Sequence, residues 1–205
     1  MRLLIKTVWH LSAIVGLAVV AAGGWFYWQG ISTRTPPSEM EVAVARRARQ
    51  AMIPASARDR QNAELATAET IRSGLEHWAD HCASCHANDG SGDTAIGRGL
   101  FPRTPDMRLP ATQTLSDGEL FYIIEHGVKL TGMPAWGNGT PEGEADSWHL
   151  VHFIRRLPSL TEDDLASMAA LNPRTPAEWR ALEEERAFLA GDRPPPAAPA
   201  PHAHK

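Results

Sequence analysis

Cys82-Ala83-Ser84-Cys85-His86 is the stretch on which the reading of this chain turns. Two thiols separated by two residues and followed at once by a histidine form the C-x-x-C-H attachment signature of a c-type haem. The spacing has a chemical reason. The cysteines add across the two vinyl groups of the porphyrin, and the next residue is placed to ligate the iron from one face. Two other chemistries compete locally. A thioredoxin-like redox pair would sit in a βαβ context, which the surrounding pattern lacks, and a four-ligand zinc site wants a second cysteine pair. Cys82 and Cys85 are the only cysteines in the sequence, so a single covalent haem c is the expectation.

The chain has 205 residues and a formal net charge of −4. That length suits one small domain with extensions, since domains commonly run to about 100–150 residues. A covalent macrocycle adds a large apolar body to such a core. The mildly acidic balance gives no sign of nucleic-acid binding. With both thiols committed to haem no disulfide is available to report the compartment. Haem attachment at such motifs takes place outside the bacterial cytoplasmic membrane, which puts the haem domain on the periplasmic or outer face.

Working outward to the start of the chain, Arg2 and Lys6 precede an apolar run from Thr7 to about Trp28 that has no Asp, Glu, Lys or Arg, with His10 as its only histidine. A helix needs about 20 apolar residues to span a bilayer core, and this run supplies them. A cleaved signal peptide would have a core of about 7–15 residues. Ala21-Ala22-Gly23-Gly24 offers a place to cut, but Trp25-Phe26-Tyr27-Trp28 follows and reads as an interfacial aromatic belt. Residues 1–28 are therefore expected to be a transmembrane anchor with its N-terminus inside. Residues 29–68 form a spacer, turn-rich from Ser32 to Ser38, with a helix expected over Glu39–Met52 before Pro54. On that helix Arg46, Arg47 and Arg49 are either a solvated face or a contact for headgroups or a partner subunit.

From about Ala68, Ile71, Leu75 and Trp78 follow helical spacing into the haem motif. Gly74 interrupts that helix at a cost of about 1 kcal/mol against alanine, which close packing on another helix would justify. Asn88-Asp89-Gly90-Ser91-Gly92-Asp93 is a loop. In the Gly- and Pro-punctuated stretch from Gly97 to Pro110, Leu100, Phe101 and Met107 are candidates to cover the haem edge. Ser116-Asp117-Gly118-Glu119 fits a capping box opening a helix that Gly127 closes. Thr131-Gly132-Met133-Pro134-Ala135-Trp136-Gly137 is irregular, and a second apolar helix runs roughly from Ala145 to Leu157, stopped by Pro158.

A helix entering C-x-x-C-H, a Gly/Pro loop, a helix, a Gly-Met-Pro loop and an aromatic closing helix together resemble a class I cytochrome c. More narrowly, the order resembles the small membrane-anchored monohaem carriers of bacterial respiratory chains. The resemblance covers residues 69–158 and implies an all-α fold around a covalent haem. It implies that Cys82 and Cys85 hold the haem, that His86 is the proximal ligand and that Met133 is the distal one. Gly74 and Trp78 match the family's first helix, Trp148 and Phe153 its last. Pro105-Asp106-Met107 is similar to the family's Pro-x-Leu segment, whose proline carbonyl accepts a hydrogen bond from the proximal histidine. Pro105 is the choice for that role, with Pro102 close behind. Chemistry also favours Met133: a thioether on a loop fixed by Gly132 and Pro134 is a soft ligand that raises the reduction potential. Met133 as a gap-filler, with His126, His149 or His152 as distal ligand, is the competing assignment.

Residues 159–191 are expected to be a helical extension, with Thr161 and then Thr175-Pro176 opening two helices. Trp179, Leu182, Ala187 and Leu189 could pack the second on the haem domain or on a partner. Residues 192–205 form a Pro/Ala/His tail expected to be disordered, in which His202 and His204 are either inert or weak metal ligands. The function implied is electron transfer without catalysis. The donor would be a quinol-oxidising complex or a dehydrogenase, and the acceptor a terminal oxidase or reductase. The chain would act either as a free carrier or as a fixed subunit. A haem enzyme or gas sensor is the alternative, and it requires an open sixth position.

Overall fold

In a computed structural model the chain is described at residues 2–30 and 32–191, and these are helices joined by irregular segments with no strand among them. The tail of 192–205, with His202 and His204, lies outside the described residues. Helix α1 (Arg2–Gln29) contains the segment Lys6–Trp28, whose apolar side chains are exposed and which, with mean hydropathy 1.6, is long and apolar enough to cross a membrane. Helices α2 (Glu39–Met52) and α3 (Ala55–Arg58) follow. The first opens on a reciprocal capping box between Ser38 and Glu41.

The haem motif is introduced by α4 (Ala68–His77), which passes through a π turn (Trp78–Cys82) into the short α5 (Ala83–His86). Two more short helices, α6 (Ala95–Gly99) and α7 (Pro110–Gln113), punctuate the loop that follows. Helix α8 (Asp117–His126) starts on the Ser116/Glu119 capping box and ends on Gly127 at φ +64°. Helix α9 (Pro141–Arg156) begins four residues before the expected start, because Thr140 caps it and Pro141 supplies a preset first turn. Helices α10 (Glu162–Leu171) and α11 (Pro176–Leu189) open on capping boxes at Thr161 and Thr175.

The domain is built on the crossing of α4 and α9. At Gly74 an added Cβ would stand 2.7 Å from the backbone carbonyl carbon of His149 and 2.9 Å from Phe153 Cβ, so only glycine lets the two helices approach this closely. Trp78 and Phe153 meet beside the crossing with ring centroids 5.6 Å apart, both buried. Phe121 of α8 stacks on Trp148 of α9 at 4.1 Å, and the Arg60 guanidinium lies 4.3 Å from the Phe121 centroid. Arg155 clamps α9 to the start of α8, donating to Asp117 Oδ1 at 2.9 Å from Nε and to the Gln113 carbonyl at 2.8 Å.

Two stretches outside the crossing also lie against it. Asn62 donates to the Trp148 carbonyl at 3.2 Å, and Ser116 Oγ donates to the Arg58 carbonyl at 2.8 Å. The second half of the segment read as spacer is thus held on α8 and α9. At the other end Met168 of α10 is wholly buried in the same core as Trp78 and Phe153. Helix α11 instead leaves Trp179 49% and Leu189 75% exposed.

Candidate haem site

The motif sits where the α4 helix changes pitch. Thr67 and Thr70 cap α4 reciprocally, and its apolar face runs to Trp78. There the Ala83 amide bonds back to the Trp78 carbonyl, five residues away, and the extra residue re-aims the positions that follow. Trp78 Nε1 donates to the Ala87 carbonyl at 3.0 Å. The residue after His86 is thereby tied to the start of the π turn, with Ala87 at φ +62°.

Cys82 and Cys85 are unpaired. Burial, with a smaller contribution from Cys85, pushes the Cys82 thiol up to about 12. A thiol held protonated is a poor redox nucleophile and a poor zinc ligand. Among the described residues no group of three His, Cys, Asp or Glu converges to hold a metal ion. The two competing chemistries of the motif therefore find no support in its surroundings.

His86 is distinctive. Its Nδ1 is buried with no hydrogen-bond partner, and burial lowers its pKa to about 4. The ring lies 5.5 Å from Trp78. A neutral imidazole is the form that ligates a transition metal. The residues present thus fit a c-type haem: two unpaired cysteines one helical turn apart, then a neutral histidine.

The loop after the motif is stitched beneath it. Gly92 N–H donates to the His86 carbonyl at 2.8 Å, Thr94 Oγ1 to the Cys85 carbonyl at 3.2 Å, and Met107 N–H to the Gly90 carbonyl at 2.8 Å. A Cβ on Gly97 would come within 2.5 Å of the Cys85 carbonyl oxygen, and one on Gly92 within 2.6 Å of that of Thr104. Arg108 bridges the two arms of the loop. Its Nη1 donates to Asp89 Oδ2 at 2.8 Å, while Nε and Nη2 donate to the two oxygens of Asp106 at 2.9 and 2.8 Å. Met107 is half-buried against the core. The hydrogen bond expected from His86 to Pro105 is not formed. The Pro105 carbonyl oxygen lies 3.1 Å from where a Cβ on Gly92 would stand, Pro105 itself is exposed, and neither it nor Pro102 accepts from His86 Nδ1.

Met133 lies in a tight loop tethered to α8. Its amide donates to Thr131 Oγ1 at 3.1 Å and its carbonyl accepts from Val128 N–H at 3.1 Å. Trp136 N–H then bonds to the Ile124 carbonyl at 3.0 Å. Leu100 covers Gly132, where a Cβ would stand 2.6 Å from Leu100 Cδ2. The Trp136 ring meets His81 edge-on at 5.5 Å, so the Met133 loop touches the helix that carries the cysteines. Met133 is half-buried. The competing histidines are engaged elsewhere. His126 is exposed, stacked on Tyr122 and bonded through Nδ1 to the Tyr122 carbonyl. His149 pairs with Ser73 Oγ at 3.1 Å, and His152 Nε2 donates to the Glu64 carbonyl at 2.8 Å.

Sequence reasoning missed the π turn, the Arg108 bridge and the contact between His81 and Trp136. Only the bridge had a signal in the sequence, the Asp106/Arg108 pair beside the Asp89 turn. Residues 69–154 match the family model described as cytochrome C oxidase, cbb3-type, subunit III. No curated protein matches the chain.

Proposed function

Residues 69–154 place this chain in the class I cytochrome c family, and from that premise we propose that it is a membrane-anchored carrier of one haem, with His86 and Met133 as the axial ligands. The observation that carries the reading is His86. It is a neutral imidazole without a hydrogen-bond partner at its buried nitrogen, placed directly after two unpaired cysteines. Bound haem supplies one-electron redox chemistry. The chain's own residues hold and enclose it. Cys82 and Cys85 would attach it, the stitched loop below His86 would support the histidine ligand, and the loop tied down by Leu100 and Trp136 would present Met133. Two axial side chains leave no position for substrate, so the protein is an electron carrier and not an enzyme.

Helix α1 confines the carrier to the cytoplasmic membrane with the haem domain on its outer face. The donor is a quinol-oxidising complex or a dehydrogenase, and the acceptor a terminal oxidase or reductase. The cbb3-type match favours work within or beside an oxidase.

The test is an absorption spectrum of the matured full chain and of Met133→Ala, each oxidised, reduced, and reduced with carbon monoxide. The expected result is a methionine–ferric charge-transfer band that only wild type shows, and carbon monoxide binding by the variant alone. A wild type that is high-spin or binds carbon monoxide readily would replace the carrier with a haem enzyme or gas sensor.

A further inference from the structure

We propose that the outward apolar stripe of α2 is a lipid-binding surface, which lays this helix in the headgroup layer of the membrane that α1 crosses and so sets the orientation of the cytochrome domain over the bilayer. The inference rests on the reading of α1 as a membrane anchor.

Helix α2 turns one side to the domain and the other outward. Val42 and Arg49 are its half-buried members, and with Ile53 they follow i, i+7, i+11 spacing on one side. Ile53 is buried, and the Arg58 guanidinium donates to the Ile53 carbonyl at 2.9 Å and to that of Gln50. Because the Arg58 carbonyl is itself held by Ser116, the C-terminus of α2 is fixed to α8. The helix therefore moves with the domain.

The opposite side carries Met40, Val44, Ala48 and Ala51 at i, i+4, i+8 and i+11, with Met52 next to them, and its one acidic member, Glu41, has its carboxylate held at the N-terminus of the helix by the Ser38 amide and hydroxyl. Met40 is 76% exposed, Val44 61% and Met52 72%. A solvated face would have polar side chains at these positions. Arg47 borders the stripe, at i+3 from Val44 and i+7 from Met40, and is exposed. A short helix of modest overall hydrophobicity, with an apolar stripe and an arginine at its border to reach phosphate oxygens, has the composition of a helix lying in a membrane interface.

The tether selects lipid as the occupant. Ten Cα steps separate Gln29, where α1 ends, from Glu39, where α2 begins, and at full extension they reach about 35 Å. A turn held by Ser32 and the Pro36-Pro37 pair shorten that reach. The tether thus keeps the stripe within that distance of the membrane surface, and Arg47 complements anionic headgroups.

The test uses the haem-loaded full chain in nanodiscs of phosphatidylglycerol and phosphatidylcholine. Haem attachment occupies Cys82 and Cys85, so Val44→Cys places a single reactive thiol on the stripe, and Asp163→Cys places one on α10 as control. Each carries a spin label whose collisions with dissolved oxygen and with a water-soluble nickel chelate are measured. The expected result is a label at 44 that collides with oxygen in preference to the chelate, with the reverse at 163. A label at 44 that meets the chelate freely would overturn the proposal, and so would one shielded from both reagents, which is the mark of a protein cover. Carbonate extraction of membranes tests the anchor separately. A chain released by carbonate would overturn the reading of α1, and the label at 44, measured with that chain on vesicles of the same lipids, would still decide for or against the stripe.

Discussion

A methyl group added at residue 74 has no space to occupy. Alanine forms helix better than glycine by about 1 kcal/mol, but overpacking a closed contact costs about 1–3 kcal/mol. At 2.7 Å from a backbone carbon of His149 and 2.9 Å from Phe153 Cβ, the new carbon forces α4 and α9 apart, and the crossing decides the sign. Gly74→Ala is therefore expected to lower the urea midpoint of the haem-loaded protein, whereas an unchanged or raised midpoint would show that the helices separate freely. The sequence marks this residue as an anomaly, a glycine in the middle of an apolar-periodic helix. It gives no sign of the bond from Trp78 Nε1 to the Ala87 carbonyl, which depends on a positive φ at Ala87.

Between elements, the Arg108 bridge is what holds the two arms of the loop below His86. The guanidinium, hydrogen-bonded to the carboxylate, holds the Asp106 pKa below its ordinary 3.8, against a smaller opposing effect of burial. A carboxyl lowered in the folded state contributes stability that is present above its unfolded pKa and is lost as pH falls through the lower folded value. Arg108→Ala is expected to cost about 1 kcal/mol near neutrality, since both partners are partly exposed. The gap between variant and wild type should close only below pH 3.8; a gap that closes at higher pH would exclude this pair as its source. Capping boxes at Ser116, Thr161 and Thr175 were legible because they involve neighbours in sequence. The π turn was not, because Ile71, Leu75 and Trp78 fit an unbroken α-helix equally well, and only the tie to Ala87 shows where the pitch changes.

For the molecule as a whole, the extension beyond residue 158 divides into two parts of different standing. Met168 is 0% exposed, and Met168→Ala is expected to cost about 2–5 kcal/mol as a core truncation. Among the side chains described beyond residue 173 all are exposed or half-buried, and ending the chain there should change domain stability by no more than about 0.5 kcal/mol. Equal losses from the two changes in denaturant unfolding would contradict this division. By itself the sequence determined the haem motif, the apolar N-terminal helix, the capped helices and the all-α class, because these follow from spacing, composition and bonds between near neighbours. Only the tertiary structure decided that Asn62 and Met168 belong with the domain, that neither Pro105 nor Pro102 accepts from His86 Nδ1, and that His149 and His152 are engaged with Ser73 and Glu64. Those outcomes depend on which distant carbonyl or side chain the fold brings within reach, and no local pattern encodes that.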